Sequence, residues 1–101
     1  MNTNKSDLEI QPLQFKKAAL ILRAINHPLR QQMLRLTHQQ GRMTVSELYG
    51  KLSLEQSVAS QHLAILRRAG FVVTERDGKF IFYSVNYQRL KEVQDLVGDI
   101  I

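Results

Sequence analysis

Apolar positions in the first two thirds of the chain recur at helical spacing, alternate after Gly70, and return to helical spacing after Asn86. Phe15, Ala18, Ala19, Leu22 and Ile25 line one face of a first helix. Pro12 suits its first turn, and the His27-Pro28 step stops it near Asn26, because the residue before a proline is pushed out of the helical region. Pro28 opens a second helix with Leu29, Met33, Leu36 and Thr37 on one face and Gly41 at its end. Arg42 to Val45 reads as a short extended piece with room for a single sheet bridge. Thr44 to Glu47 and Ser53 to Gln56 both have the form of a capping box. The first starts a short helix holding Val45, Leu48 and Leu52. The second starts a longer helix running to Gly70, with Ala59, Leu63 and Leu66 facing the core. Two such helices joined by a tight turn around Leu52 to Leu54 predict a helix-turn-helix.

Phe71 to Arg76 and Lys79 to Val85 are β-rich runs separated by Asp77-Gly78, a preferred two-residue hairpin turn. A hairpin directly after a helix-turn-helix predicts a winged helix. Asn86 then caps a last helix whose stripe is Leu90, Val93, Leu96, Val97, Ile100 and Ile101. The expected fold is mainly α, a winged helix-turn-helix of about five helices with a two-stranded wing. Residues 1–11 are expected to form a flexible tail, with Ser6 and Glu9 as a possible capping box, and residues 12–101 the folded domain.

The face opposite the stripe of the 53–70 helix carries Gln56, Ser57, Ser60, Gln61 and Ala64. A solvated helix face ordinarily carries Lys and Glu; small, uncharged hydrogen-bonding groups suit close approach, and Gln and Ser can read base edges in a major groove. Charge points the same way. The net charge is +5, but residues 10–74 hold nine basic residues against two acids, net +7, while the two ends are slightly acidic. Arg67 and Arg68 at the end of that helix, and Arg76 and Lys79 beside the hairpin tip, are placed to hold a sugar-phosphate backbone. The two wing cations serve equally well simply to keep a hairpin soluble. Arg30 has two readings, a phosphate contact or a structural salt bridge.

A chain of 101 residues with 44% hydrophobic residues suffices for one small domain, and a second domain closing a catalytic cleft is not expected. It has no cysteine, which removes disulfides and thiolate metal sites, and its polar opening lacks the apolar core of a signal peptide. A cytoplasmic protein is expected, with no membrane contact and no cofactor. Nothing in the sequence pairs a nucleophile with a base or forms a phosphate-binding glycine loop, so an enzyme ranks last. The apolar faces of the two terminal helices exceed what a small core can cover, which predicts a homodimer joined through Phe15, Ala19, Leu22, Leu90, Val93, Val97 and Ile100.

His27-Pro28-Leu29-Arg30, Thr44-Val45-Ser46-Glu47-Leu48, the run from Ser60 to Val72 and the hairpin ending Phe82-Tyr83-Ser84-Val85 together resemble the ArsR/SmtB family of bacterial transcriptional regulators, from about residue 15 to 97. The resemblance implies a winged-helix homodimer paired through its first and last helices. It also implies binding to double-stranded operator DNA, usually repressing until an inducer releases it. Two departures stand out. Ala59 occupies a position where the family has a branched apolar residue. The segment Glu47-Leu48-Tyr49-Gly50 lacks the cysteines of metal-sensing members, and the last helix offers Glu92, Asp95 and Asp99 without histidine. Carboxylates alone hold transition metals weakly. No metal site is therefore expected, His62 is read as a packing and hydrogen-bonding residue, and the small-molecule inducer stays unidentified. The alternative from another class is a winged helix whose Ser/Gln face docks a protein, as in an anti-repressor; the central positive charge favours DNA.

Overall fold

Among the described residues, secondary structure begins at one proline and restarts at another. In a computed structural model that describes residues 7–101, helix α1 runs Pro12–Ile25 and α2 runs Pro28–Gln40, each with proline in its first turn. His27 between them is extended (φ −155°, ψ 118°), and its Nδ1 accepts the Arg30 N–H, so the interruption forced by Pro28 is also the cap of α2. Ser6 lies outside the described residues, and with it the expected box with Glu9.

Helix α3 (Val45–Lys51) starts on the expected box: the Thr44 hydroxyl accepts the Glu47 N–H at 3.2 Å, and Glu47 accepts the Thr44 N–H at 2.9 Å. That backbone bond first, and the Thr44 hydroxyl second, hold the Glu47 carboxyl below its ordinary value. The second box does not form. Helix α4 is Gln56–Arg68, with Glu55 at its N-cap making no side-chain cap bond. Ser53 instead closes α3: it sits in the left-handed region (φ 53°), its N–H reaches Gly50 O at 3.4 Å, and Leu54 N–H reaches Tyr49 O at 2.9 Å. This is a Schellman turn, and it takes the backbone of Ser53 away from the next helix.

Strands β1 (Val72–Asp77) and β2 (Phe80–Val85) pair antiparallel, from Val72 opposite Val85 to Asp77 opposite Phe80. The two-residue turn is therefore Gly78-Lys79 rather than Asp77-Gly78. Gly78 alone takes positive φ (63°), which suits a turn with glycine first and needs no left-handed residue second. The expected register would have set Val72 against Tyr83; the observed one buries Val72 and Val85 together. Met43 adds the predicted bridge to Tyr83, with bonds of 2.9 and 2.7 Å. Helix α5 (Tyr87–Ile100) begins on Asn86, whose Oδ1 accepts the Arg89 N–H.

Two apolar clusters hold these elements. One gathers Ala24, Leu34, Leu66, Phe71, Val72, Val85 and Val93; the other Met33, Met43, Leu48 and Leu63, with Tyr83 touching both. Helix α4 is anchored in both by its Leu63 and Leu66, so its orientation is fixed by the whole core. Only the second half of α1 reaches this core, through Ile21, Leu22, Ala24 and Ile25. Among the described residues no helix is long and apolar enough to cross a membrane.

Candidate nucleic-acid interface

Helix α4 divides as its periodicity demands. Ala59, Leu63 and Leu66 are buried, while Gln56, Ser57, Ser60, Gln61 and Ala64 are exposed together on the other side. Arg67 and Arg68 follow in its last turn, both exposed. The helix presents about two turns of uncharged donors and acceptors, then two cations. No carboxylate interrupts the exposed face between Gln56 and Arg68. Glu55 lies just before it.

The wing adds a second basic element. Arg76 in β1 and Lys79 in the turn are both exposed. Lys79 thus stands at the tip itself, with its ammonium 5.4 Å from the Phe80 ring. Arg42 is a residue that the sequence reading left out. Its guanidinium lies 3.8 Å over the Phe82 ring and bridges Asp77 at 3.2 Å and Glu75 at 3.7 Å. It spends its charge on the wing and clamps β1 to β2 from outside. The alternation of Glu75 and Asp77 on one face of β1, opposite Phe82, was the signal that a nearby cation belonged there.

Arg30 corrects both sequence expectations. It is only 7% exposed, and no carboxylate pairs with it among the described residues. Its Nε donates to Ala24 O at 2.6 Å, Nη2 to Arg23 O at 3.0 Å, and Nη1 to His62 Nδ1 at 3.2 Å. Two of these acceptors are carbonyls at the end of α1, which a helix leaves without internal partners. Because arginine only donates, the bond to His62 requires a neutral imidazole protonated on Nε2. Burial first, and then the neighbouring His27 ring and the Arg30 cation, push the His62 pKa below its ordinary value, which favours that form. One side chain thereby ties the end of α1 and the start of α2 to the middle of α4. The expected hydrogen-bonding role of His62 corresponds to this contact.

The residues expected at a dimer interface fall into two groups. Phe15, Ala19 and Ile100 are exposed, Phe15 by 67% and Ile100 by 72%. Leu22, Leu90 and Val97 are half-buried along an open groove of about 670 Å³ between α1, α2 and α5. Val93 already lies in the chain's own core. Among the described residues no three His, Cys, Asp or Glu side chains gather as a metal site, and Asp95 pairs with Lys91 at 2.8 Å on an exposed face.

Residues 25–75 match the family pattern described as a helix-turn-helix domain. A helix-turn-helix-type transcriptional regulator of Methanocaldococcus jannaschii is 35% identical over 86 residues, covering 85% of this chain and 97% of that one. The transcriptional activator HlyU of Vibrio cholerae is 36% identical over 81 residues, 80% of this chain and 74% of HlyU. Its structure superposes with a TM-score of 0.65, at 33% identity, over 82% of this chain and 90% of the other. The chain belongs to the ArsR family of winged helix-turn-helix transcriptional regulators. A biofilm growth-associated repressor of Agrobacterium fabrum is 45% identical over 67 residues, 66% of this chain and 56% of that protein. In this ArsR-family chain the helix-turn-helix is α3 and α4, and the wing is β1 and β2. The small Ala59 in the family motif is fully buried, so the stripe closes without the branched residue.

Proposed function

We propose that this chain is a sequence-specific transcriptional repressor that binds an inverted-repeat operator in double-stranded DNA as a homodimer. Residues 12–101 serve as a combined DNA-binding and dimerisation domain. The observation that carries this reading is the exposed Gln56, Ser57, Ser60 and Gln61 face of α4, followed by Arg67 and Arg68 and accompanied by the basic wing. Each subunit places α4 in a major groove, where the Gln and Ser side chains meet base edges. Arg67, Arg68, Arg76 and Lys79 hold the phosphates and supply most of the salt-sensitive affinity. Arg30 acts from within, by holding α4 at a fixed angle to α1 and α2.

The apolar side chains that α1 and α5 leave exposed support self-association through those helices. Two-fold symmetry then sets the two copies of α4 on successive grooves along one side of the duplex. The sign of regulation is read as repression, as in the name of the Agrobacterium relative. Occupancy of an operator overlapping a promoter excludes polymerase with no further contact, whereas activation, as named for HlyU, needs one.

The test is a mobility-shift titration against the DNA upstream of the protein's own gene, at two salt concentrations, with Gln61→Ala alongside. A specific complex is expected whose affinity falls with salt by roughly 0.9 log units per log unit for each phosphate neutralised. Gln61→Ala is expected to cost about 1–3 kcal/mol and relax preference at one base position. Equal weakening on every sequence would remove the reading role from Gln61. A protein without any salt-sensitive, sequence-specific complex would be a protein-docking winged helix instead.

A further inference from the structure

We infer that the groove between α1 and α4 binds an amphipathic anion, a carboxylate carried on an alkyl or aryl body. The groove has a volume of about 490 Å³, within the range of small-ligand sites, and side chains such as Leu20 and Ile65 form its apolar wall. Every charged residue that lines it is positive: Lys17, Arg23, Arg30 and Arg68.

Arg30 is the second, independent observation. It is buried and desolvated, and the ion pairs among the described residues are those of Arg42 with Glu75 and Asp77 and of Lys91 with Asp95. Residues 1–6 contain no acid that could reach it. A guanidinium has five N–H donors, and three are spent on Ala24 O, Arg23 O and His62 Nδ1, which leaves two. A buried cation surrounded by dipoles and other cations is short of a counter-charge, and burial already pushes its pKa down. An anion entering the groove supplies that charge to Arg30 at one side while Lys17, Arg23 and Arg68 surround it. The apolar wall then selects an anion with a hydrocarbon body over a bare ion. A cationic ligand or a divalent metal meets four like charges and is excluded.

The inference stands apart from the DNA-binding reading, and its test uses no DNA. The full chain is titrated with decanoate, decanol and decyltrimethylammonium below their micelle concentrations, by calorimetry and by amide NMR. Decanoate is expected to bind at least about tenfold more tightly than decanol, the margin of a charge-assisted hydrogen bond, and decyltrimethylammonium not at all. The amides that move should belong to residues 20–24 and 65–69. Lys17→Gln with Arg23→Gln, both exposed positions, should lower decanoate affinity by about tenfold and leave decanol unchanged. Equal affinity for decanol and decanoate, no binding, or shifts confined to the groove between α1 and α5 would each overturn it. So would groove amides that respond to protein concentration rather than to decanoate, since the occupant would then be a second copy of the chain.

Discussion

The two helices of the helix-turn-helix end in the same backbone turn with different residues at its left-handed position. After α3, Ser53 takes φ 53°, with Ser53 N–H bonded to Gly50 O and Leu54 N–H to Tyr49 O. After α4, Gly70 takes φ 87°, with Gly70 N–H bonded to Arg67 O at 3.0 Å and Phe71 N–H to Leu66 O at 2.9 Å. Both are Schellman turns, and their surroundings differ. The joint entering α4 has an exposed serine, a half-buried Leu54 and no side-chain cap on the helix that follows. The joint leaving α4 is enclosed: Phe71 is fully buried, Asn86 Nδ2 donates to Gly70 O at 2.9 Å, and Asn86 N–H bonds Phe71 O. A Cβ on Gly70 would stand 2.8 Å from Arg89 Nε. The same turn therefore carries a side chain at one joint, and at the other would take one only by moving the Arg89 head group. Helix α4 is locked to the wing and α5 behind it, and met by a looser turn in front.

The largest expected effect breaks the locked joint. Phe71→Ala should destabilise the chain by about 3–5 kcal/mol in urea unfolding, since it replaces a fully buried ring with a cavity. Leu54→Ala should cost much less, because Leu54 is only half-buried; equal losses would erase the asymmetry between the joints. Next comes Gly70→Ala, expected to lose about 1–2 kcal/mol from the left-handed backbone alone, with Arg89 displaced as well. Ser53→Ala should stay within about 0.5 kcal/mol of the parent, since a side chain already occupies that conformation at an exposed site. A large loss from Ser53→Ala would show that its hydroxyl matters in a way the turn geometry does not require.

These joints also show how far residues alone carry the fold. The box at Thr44 and Glu47, the single bridge at Met43 and the cap at Asn86 were legible, because each uses partners within a few positions or a pattern with one reading. Ser53 to Gln56 has the same pattern as Thr44 to Glu47 and behaves differently. The preceding helix claims Ser53 to satisfy its own last carbonyls, and capping preferences cannot see which helix wins. The hairpin turn was misplaced by one residue for a similar reason: local preference for Asp-Gly lost to the burial of Val72 against Val85. The exposed Gln/Ser face of α4 followed from spacing alone. The inward course of Arg30 did not, since its acceptors lie on α1 and, 32 residues away, on α4.

A pH titration sharpens the contrast from the locked side. His62 must be neutral to accept from Arg30, and its folded pKa lies below the ordinary 6.5 because of burial, then His27 and Arg30. As pH falls through about 6.5 the unfolded chain takes up a proton before the folded chain does. The contribution is therefore fully present above that pH and is lost progressively below it. The slope should be no steeper than about 1.4 kcal/mol per pH unit, the limit for one proton. Glu47, whose pKa is lowered from 4.5, loses its contribution only at lower pH, so the two windows separate. His62→Gln, which keeps an acceptor for Arg30, should flatten the curve between pH 7 and 5. A curve unchanged in that variant would assign the pH dependence to another group.

A last, small effect tests the loose joint and runs in the opposite direction. Ser53→Gly removes the Cβ from a left-handed residue and should stabilise the chain by roughly 0.5–1 kcal/mol, the net of relieved strain and a more flexible unfolded state. For a domain of this size that is a rise in Tm of about 2–8 °C. Stability and recognition then separate. If the joint only closes α3, the glycine variant should be more stable and bind its operator with the same affinity and salt slope. If the strained serine holds α4 at the angle that its Gln and Ser face requires, the variant should gain stability and lose specific affinity together, while its binding to unrelated DNA stays unchanged. The second outcome would make the loose joint a positioning element, and the asymmetry between the two turns a property of DNA recognition as well as of folding.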